Sequence, residues 1–319
     1  MVHGADIGWL SWLESEGFTW VDARGVPTDP LMLLKDFGVD SIRLRVMVDP
    51  DSSGTQGFSD QAHVVAMARR CAALGFLLMI DFHFSDTWAD PAKQFVPAAW
   101  QNDSLDAMKV HLAHHVTSVL AALKAAAATP VWVQLGNEIP NGLLWGTNGV
   151  SGRVEGTTGW DSLTALINAG YAAVKAVDPA VQVIVHLDRG CDNKLYRWWF
   201  DSYQEAGGRW DVIGLSFYPF WPPEGTIAQL NQNLHDLAHR YARGVMVCEV
   251  GGKAEDPEGT RVLLSEVRSA LASVSGGRGL GLFYWEPEAA PSVVGGYALG
   301  ASLLADPKQL QFTEAMTGI

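Results

Sequence analysis

Eight short apolar runs alternate with helical stretches along this chain, and that alternation limits the fold more than any other feature. The runs are HGADIGW from His3, VDSIRLRV from Val39, FLLMIDF from Phe76, PVWVQLG from Pro130, VQVIVHL from Val181, DVIGLSF from Asp211, GVMVCEV from Gly244 and GLGLFYW from Gly279. Helical stretches are expected at Leu31 to Phe37, His63 to Leu74, Leu105 to Ala128, Leu163 to Val177, Ile227 to Tyr241 and Thr260 to Val274. Runs this continuously apolar suit parallel strands covered on both faces. Over 319 residues the alternation predicts an α/β fold, one (β/α)8 TIM barrel forming a single domain, residues 1–319. No linker or shift in composition marks a second domain. With 48% hydrophobic and 18% charged residues the chain can fill such a core, which excludes a disordered chain.

In a barrel of this kind the chemistry sits at the C-terminal strand ends. Polar residues there are therefore the candidates. Arg43 and Arg45 have period-two spacing and face one way. Arg45, nearer the strand end, is expected to meet a catalytic carboxylate; the competing reading is a structural salt bridge. Asp81 and His83 share a face of the third strand. The loop after them carries Asp86, Trp88, Asp90 and Lys93, with Trp88 as a stacking platform and the acids as acceptors for sugar hydroxyls. A capped, solvated loop is the bland alternative. His186 and Asp188 share a face of the fifth strand, Tyr218 and Trp221 follow the sixth, and Trp285 closes the eighth. Each of these fits a core residue taken singly. Polar or aromatic groups at the same end of nearly every strand point instead to a polar cleft.

Two glutamates stand out. Glu138 closes PVWVQLGNE beside Asn137, and Glu249 closes GVMVCE. Two carboxylates brought by different strands to one barrel mouth are what glycosidic cleavage needs, about 5 Å apart if the configuration is retained. Asn137 and Glu138 diverge on an ideal strand, so a bulge or a strand-to-loop transition is needed to aim both at one site. Arg45 and Tyr218 are expected to favour the charged form of Glu249. A less polar setting and the nearby negative charge are expected to keep Glu138 protonated. Cys248, one residue before Glu249, is expected to face the helices.

The net charge of −13 repels phosphate backbones, so nucleic acid is not expected as a partner, and a neutral substrate fits best. No apolar run is long enough to span a membrane. Three widely spaced cysteines argue against a disulfide framework and a zinc site, and no strand shows an H-x-H pair, so neither metal nor cofactor is expected. No charged region followed by an apolar stretch precedes Gly4, so no signal peptide is read. A monomer is expected. Thirteen tryptophans is a high count; tryptophan is usually a core residue, but an excess near strand ends suits stacking on sugar faces.

The segments RLRV, DFHFSDTWADPAKQ, QLGNEIPNGLLW, HLD, SFYPFW, CE and FYWEP, in order from Gly4 to about Pro287, resemble the motifs of glycoside hydrolase family 53, the arabinogalactan endo-β-1,4-galactanases. The resemblance implies a retaining hydrolase of β-1,4-linked galactan, with Glu138 as acid/base, Glu249 as nucleophile and secretion from the cell. It also implies that Asn137 contacts hydroxyls at the cleaved unit, that His83, Asp188, Tyr218 and Trp285 shape the site, and that Trp88 and Trp221 are platforms. The segment after Glu249 is shorter than the family's, which argues against the structural calcium of many bacterial relatives. Met47, Phe84 and Arg189 stand where tryptophan, tyrosine and asparagine are common, near sugar subsites. A barrel glycosidase on β-mannan or β-glucan, and a non-catalytic sugar-binding barrel, are the alternatives.

Overall fold

The structure is a computed structural model and describes residues 1–51, 53–146, 151–222, 225–294 and 301–319. At its centre eight parallel strands close a barrel in sequence order. They are β1 (Val2–Asp6), β2 (Ser41–Val46), β3 (Leu77–Phe82), β4 (Trp132–Leu135), β5 (Gln182–Leu187), β6 (Val212–Phe217), β7 (Gly244–Val250) and β8 (Gly279–Trp285). β1 completes the ring by pairing with both β8 and β2. Every expected run forms one of these strands.

The crossover between β5 and β6 holds a helix, Asn193–Glu205, that the sequence reading lacked. Tyr196, Trp199, Phe200 and Tyr203 recur at helical spacing and are buried, and Asp192 caps the first turn by accepting from the Leu195 N–H at 3.0 Å. Its aromatic content, more usual in strands, hid the period.

Side chains alternate between the barrel axis and the helix layer. Met79, Trp132, Ile184, Val212, Met246, Cys248 and Phe283 form an apolar plug inside the barrel. Val133, Val185, Ile213 and Val247 face outward into the larger core beneath the helices. The plug leaves no spare room: a Cβ on Gly214 would stand 2.8 Å from the Cys248 sulfur. Cys248 thus corrects the alternation argument. Leu215 pairs with Val247 and Ser216 with Glu249, so Cys248 is the extra residue of a bulge and points inward.

The segment beyond Pro287 belongs to the same body. Gln309–Phe312 pairs with Ser302–Asp306 and, in parallel, with Thr19–Val21, which itself pairs with Pro27–Thr28. Leu310, Met316 and Ile319 join the main core. The Arg268 guanidinium donates to the Ile319 carbonyl at 2.7 Å. Among the described residues, no helix is long and apolar enough to cross a membrane.

Candidate active site

Glu138 reaches the barrel mouth because β4 stops early. After Leu135 the chain turns through Gly136 at φ 85° and Glu138 itself at φ 45°, both left-handed. A Cβ on Gly136 would also press within 2.9 Å of Ile139. This turn, rather than a bulge, brings Asn137 and Glu138 to one side. Glu138 Oε1 accepts a hydrogen bond from Ser216 Oγ at 2.6 Å. Ser216 Oγ in turn lies 2.9 Å from His186 Nε2, which donates to it, because His186 Nδ1 faces the Gln134 amide N–H at 3.1 Å. Burial and the Arg43 charge hold the His186 imidazole well below its usual range, so it stays neutral. Burial, then the charges of Glu249 and Asp188, push the Glu138 carboxyl well above its ordinary value against the opposing Ser216 bond.

Glu249 has a different setting. The β7 bulge tips it into the mouth, where Oε1 lies 2.9 Å from Arg43 Nη2 and Oε2 accepts from the Tyr218 hydroxyl at 3.1 Å. Burial raises its pKa as well, but Arg43 and Tyr218 pull it back. Tyr218 remains a neutral phenol, since burial and the charge of Glu249 push its pKa up. The expectation of a simply favoured carboxylate is therefore corrected: both acids are raised, Glu138 further.

The cation facing Glu249 is Arg43, not Arg45. Arg43 bonds Asp6, Asp81 at 2.8 Å, Asn137 Oδ1 at 2.9 Å and Gln134 at 3.1 Å, with its side chain 1% exposed. Arg45, one pleat further along β2, turns to Glu286 and lies 4.0 Å over the Trp88 ring. Glu286 also accepts the Trp9 backbone N–H at 3.0 Å. Nearness to the strand end therefore does not decide which arginine meets the carboxylate.

Of the other sequence candidates, His83, Trp88, Asn137, Tyr218, Trp221 and Trp285 line one cleft with Glu138 and Glu249, and Arg45 forms part of its wall. Asp188 lines an adjoining cavity that also includes Glu138. Asp81 and His186 are fully buried behind the wall, where they orient Arg43 and Ser216 rather than meet a ligand. His83 is oriented from both sides: Nδ1 accepts from the Ala89 N–H at 3.0 Å and Nε2 faces Asp81 at 3.0 Å. Asn137 donates through Nδ2 to the Ala89 carbonyl at 3.0 Å. Asp86 does not line the cleft; it staples the loop by accepting from the Asp49 and Ala98 N–H groups. Asp90 lies on the cleft and pairs with Lys93 at 2.9 Å. Met47 and Phe84 are buried and line neither cavity, whereas Arg189 reaches the second one.

Gln134, Ser216, Asp6 and Trp9 were missed. The first three are polar residues on the inner face of apolar runs, the signal that flagged Asp81. Trp9, after β1, packs edge-on against Trp285 at 5.3 Å and Trp88 at 5.8 Å, and no local pattern marks it.

Among the described residues, no three or more His, Cys, Asp or Glu side chains gather so as to hold a metal ion. The short segment after β7 is tied by its own contacts: Thr260 donates to the Lys253 carbonyl at 3.3 Å, and Asp256 caps the next helix.

The chain matches the family model described as Glycosyl hydrolase family 53 over residues 2–319. It belongs to glycoside hydrolase family 53. The match extends past Pro287, where the motif resemblance stopped, in keeping with the packed C-terminal segment. Among family 53 relatives, an arabinogalactan endo-β-1,4-galactanase of Thermothelomyces thermophilus is 31% identical over 86% of this chain and 85% of that protein. Another, from Cellvibrio japonicus, is 33% identical over 89% of this chain and 79% of that protein. A solved fungal β-1,4-galactanase superposes with a TM-score of 0.88 at 28% identity, covering 100% of this chain and 98% of that one.

Proposed function

We propose that this family 53 chain is a retaining endo-β-1,4-galactanase acting on the galactan of type I arabinogalactan, with Glu138 as acid/base and Glu249 as nucleophile. The observation that carries the assignment is the unequal setting of two carboxyls on one cleft. Glu249 has a guanidinium and a phenol on its two oxygens; Glu138 has only a serine hydroxyl and a neutral imidazole behind it. Coupled in this way the pair shares one proton, and the proton rests on Glu138.

Glu249 attacks the anomeric carbon as the glycosidic C–O bond breaks, and the Glu138 proton passes to the departing oxygen. Water then gives its proton to Glu138, its oxygen bonds to the anomeric carbon, and the ester to Glu249 breaks, with net retention. Tyr218 and Arg43 hold Glu249 in line and receive its charge when it leaves. Trp88, Trp221 and Trp285 give apolar faces on which sugar rings stack. The acidic surface matches an uncharged polymer.

Potato galactan, mannan and soluble cellulose, compared by reducing-sugar release, test the substrate. Galactan is expected to be cleaved with a spread of intermediate oligomers early, and NMR of the first products to show the β-anomer. Preference for mannan or cellulose, or an α-anomer first, overturns the reading.

A further inference from the structure

Two cavities meet at Glu138, and only one of them contains Glu249. Both include Glu138, Tyr218 and Trp221; the second replaces Arg43 and Glu249 with Asp188, Arg189 and Asp192. If Glu249 attacks the sugar in the first cavity, the departing unit lies on the side that the acid/base reaches and the nucleophile does not. That side is the second cavity.

Arg189 sits just past β5 at φ 50°, a left-handed backbone that a non-glycine residue rarely adopts. Its guanidinium lies between two carboxylates, with Nε 3.2 Å from Asp188 Oδ2 and Nη1 3.8 Å from Asp192 Oδ2. It is 36% exposed, so it faces the cavity without being free in solvent. Asp188 Oδ1 is buried and without a hydrogen-bond partner among the described residues. A donor fork beside a partly exposed carboxylate suits neighbouring hydroxyls of a sugar. Two carboxylates against one cation make the site unattractive to a uronate.

We propose that Asp188 and Arg189 bind the leaving-group sugar through its hydroxyls. The inference rests on the Glu138–Glu249 reading above. It carries a consequence for the second half-reaction. A sugar acceptor held there loses a hydroxyl proton to Glu138, its oxygen bonds to the anomeric carbon, and the carbon–oxygen bond to Glu249 breaks. Arg189 thereby governs the competition between water and sugar acceptors.

The test compares β-1,4-galactotetraose with 4-nitrophenyl β-1,4-galactobioside, whose leaving group carries no sugar hydroxyls. Arg189→Ala is expected to lower kcat/KM on the tetraose by roughly tenfold to a hundredfold, with a loss on the aryl substrate at least about tenfold smaller. With added galactobiose, the ratio of transfer to hydrolysis is expected to fall by about fivefold or more. Arg189→Lys, which keeps the charge and some donors, is expected to recover part of both. Equal losses on the two substrates, or an unchanged transfer ratio, overturn the proposal. Failure of the catalytic reading looks different: Glu249→Ala then keeps its rate on the aryl substrate.

Discussion

Glu138 and Glu249 are the same residue type on the same cleft, yet their surroundings share almost nothing. Glu249 is held by a cation on β2 and by a hydrogen-bond-donating phenol beyond β6. Glu138 is backed by the neutral His186–Ser216 pair. The strand ends differ too: a bulge aims Glu249, while early strand termination and a left-handed turn aim Glu138. The contrast shows that role is assigned by neighbours: Glu138 is the less buried of the two, yet its carboxyl is raised further, because it faces acids where Glu249 faces a cation.

The contrast can be broken most sharply at Glu249. Glu249→Ala is expected to lower galactan turnover by roughly ten-thousandfold or more, the scale of losing a covalent nucleophile, measured as initial reducing-sugar release. A loss within about tenfold places the nucleophile elsewhere. Glu138→Gln is expected to cost about a hundredfold to ten-thousandfold on galactan, and far less on an aryl galactoside that leaves without a proton. Full rate on the polymer contradicts its role.

The charge side of the comparison is sharpened by Arg43→Lys. Arg43 lowers the Glu249 pKa, so weakening that contact raises it, and the acid limb of kcat/KM moves to higher pH with an overall loss of roughly tenfold. Arg45→Lys is expected to leave that limb in place, because Arg45 faces Glu286. On the neutral side, Ser216→Ala removes a bond that lowers the Glu138 pKa. The alkaline limb then moves to higher pH, and the rate falls by only about threefold to tenfold. An unmoved limb shows that the Ser216 hydroxyl does not control Glu138.

The smallest effect lies behind the cleft. Burial and the charge of Glu286 push the Glu288 carboxyl well above its ordinary range. Its folded-state pKa is raised, so its contribution to stability is complete below about pH 4 and declines as pH rises toward the folded value. Glu288→Gln removes that decline. Thermal unfolding is expected to match wild type near about pH 4 and to show the variant slightly ahead above neutrality. Parallel pH profiles would mean that Glu288 is already ionised.

Much of this molecule is legible along the chain. The eight strands follow from continuous apolar runs, since a parallel strand covered on both faces has no solvated side to mark. Glu138, His83, Asn137, Tyr218, Trp88 and Trp285 stand out because polar and large aromatic side chains gather at one end of those runs. The choice of Arg45 over Arg43, the outward Cys248 and the placing of Asp81 and His186 among the cleft residues differ from the structure for one reason. Strand alternation tells which side a residue faces but not how deep it lies or where a bulge shifts the count.

The sequence by itself determined the barrel, the end of it that holds the chemistry and the pair of acidic residues there, because periodicity and polarity are local properties. Only the tertiary structure decided which cation faces which acid, that Cys248 turns inward, and that Trp9 joins the site. Those facts depend on distances between side chains carried by different strands, and no spacing along one strand encodes them.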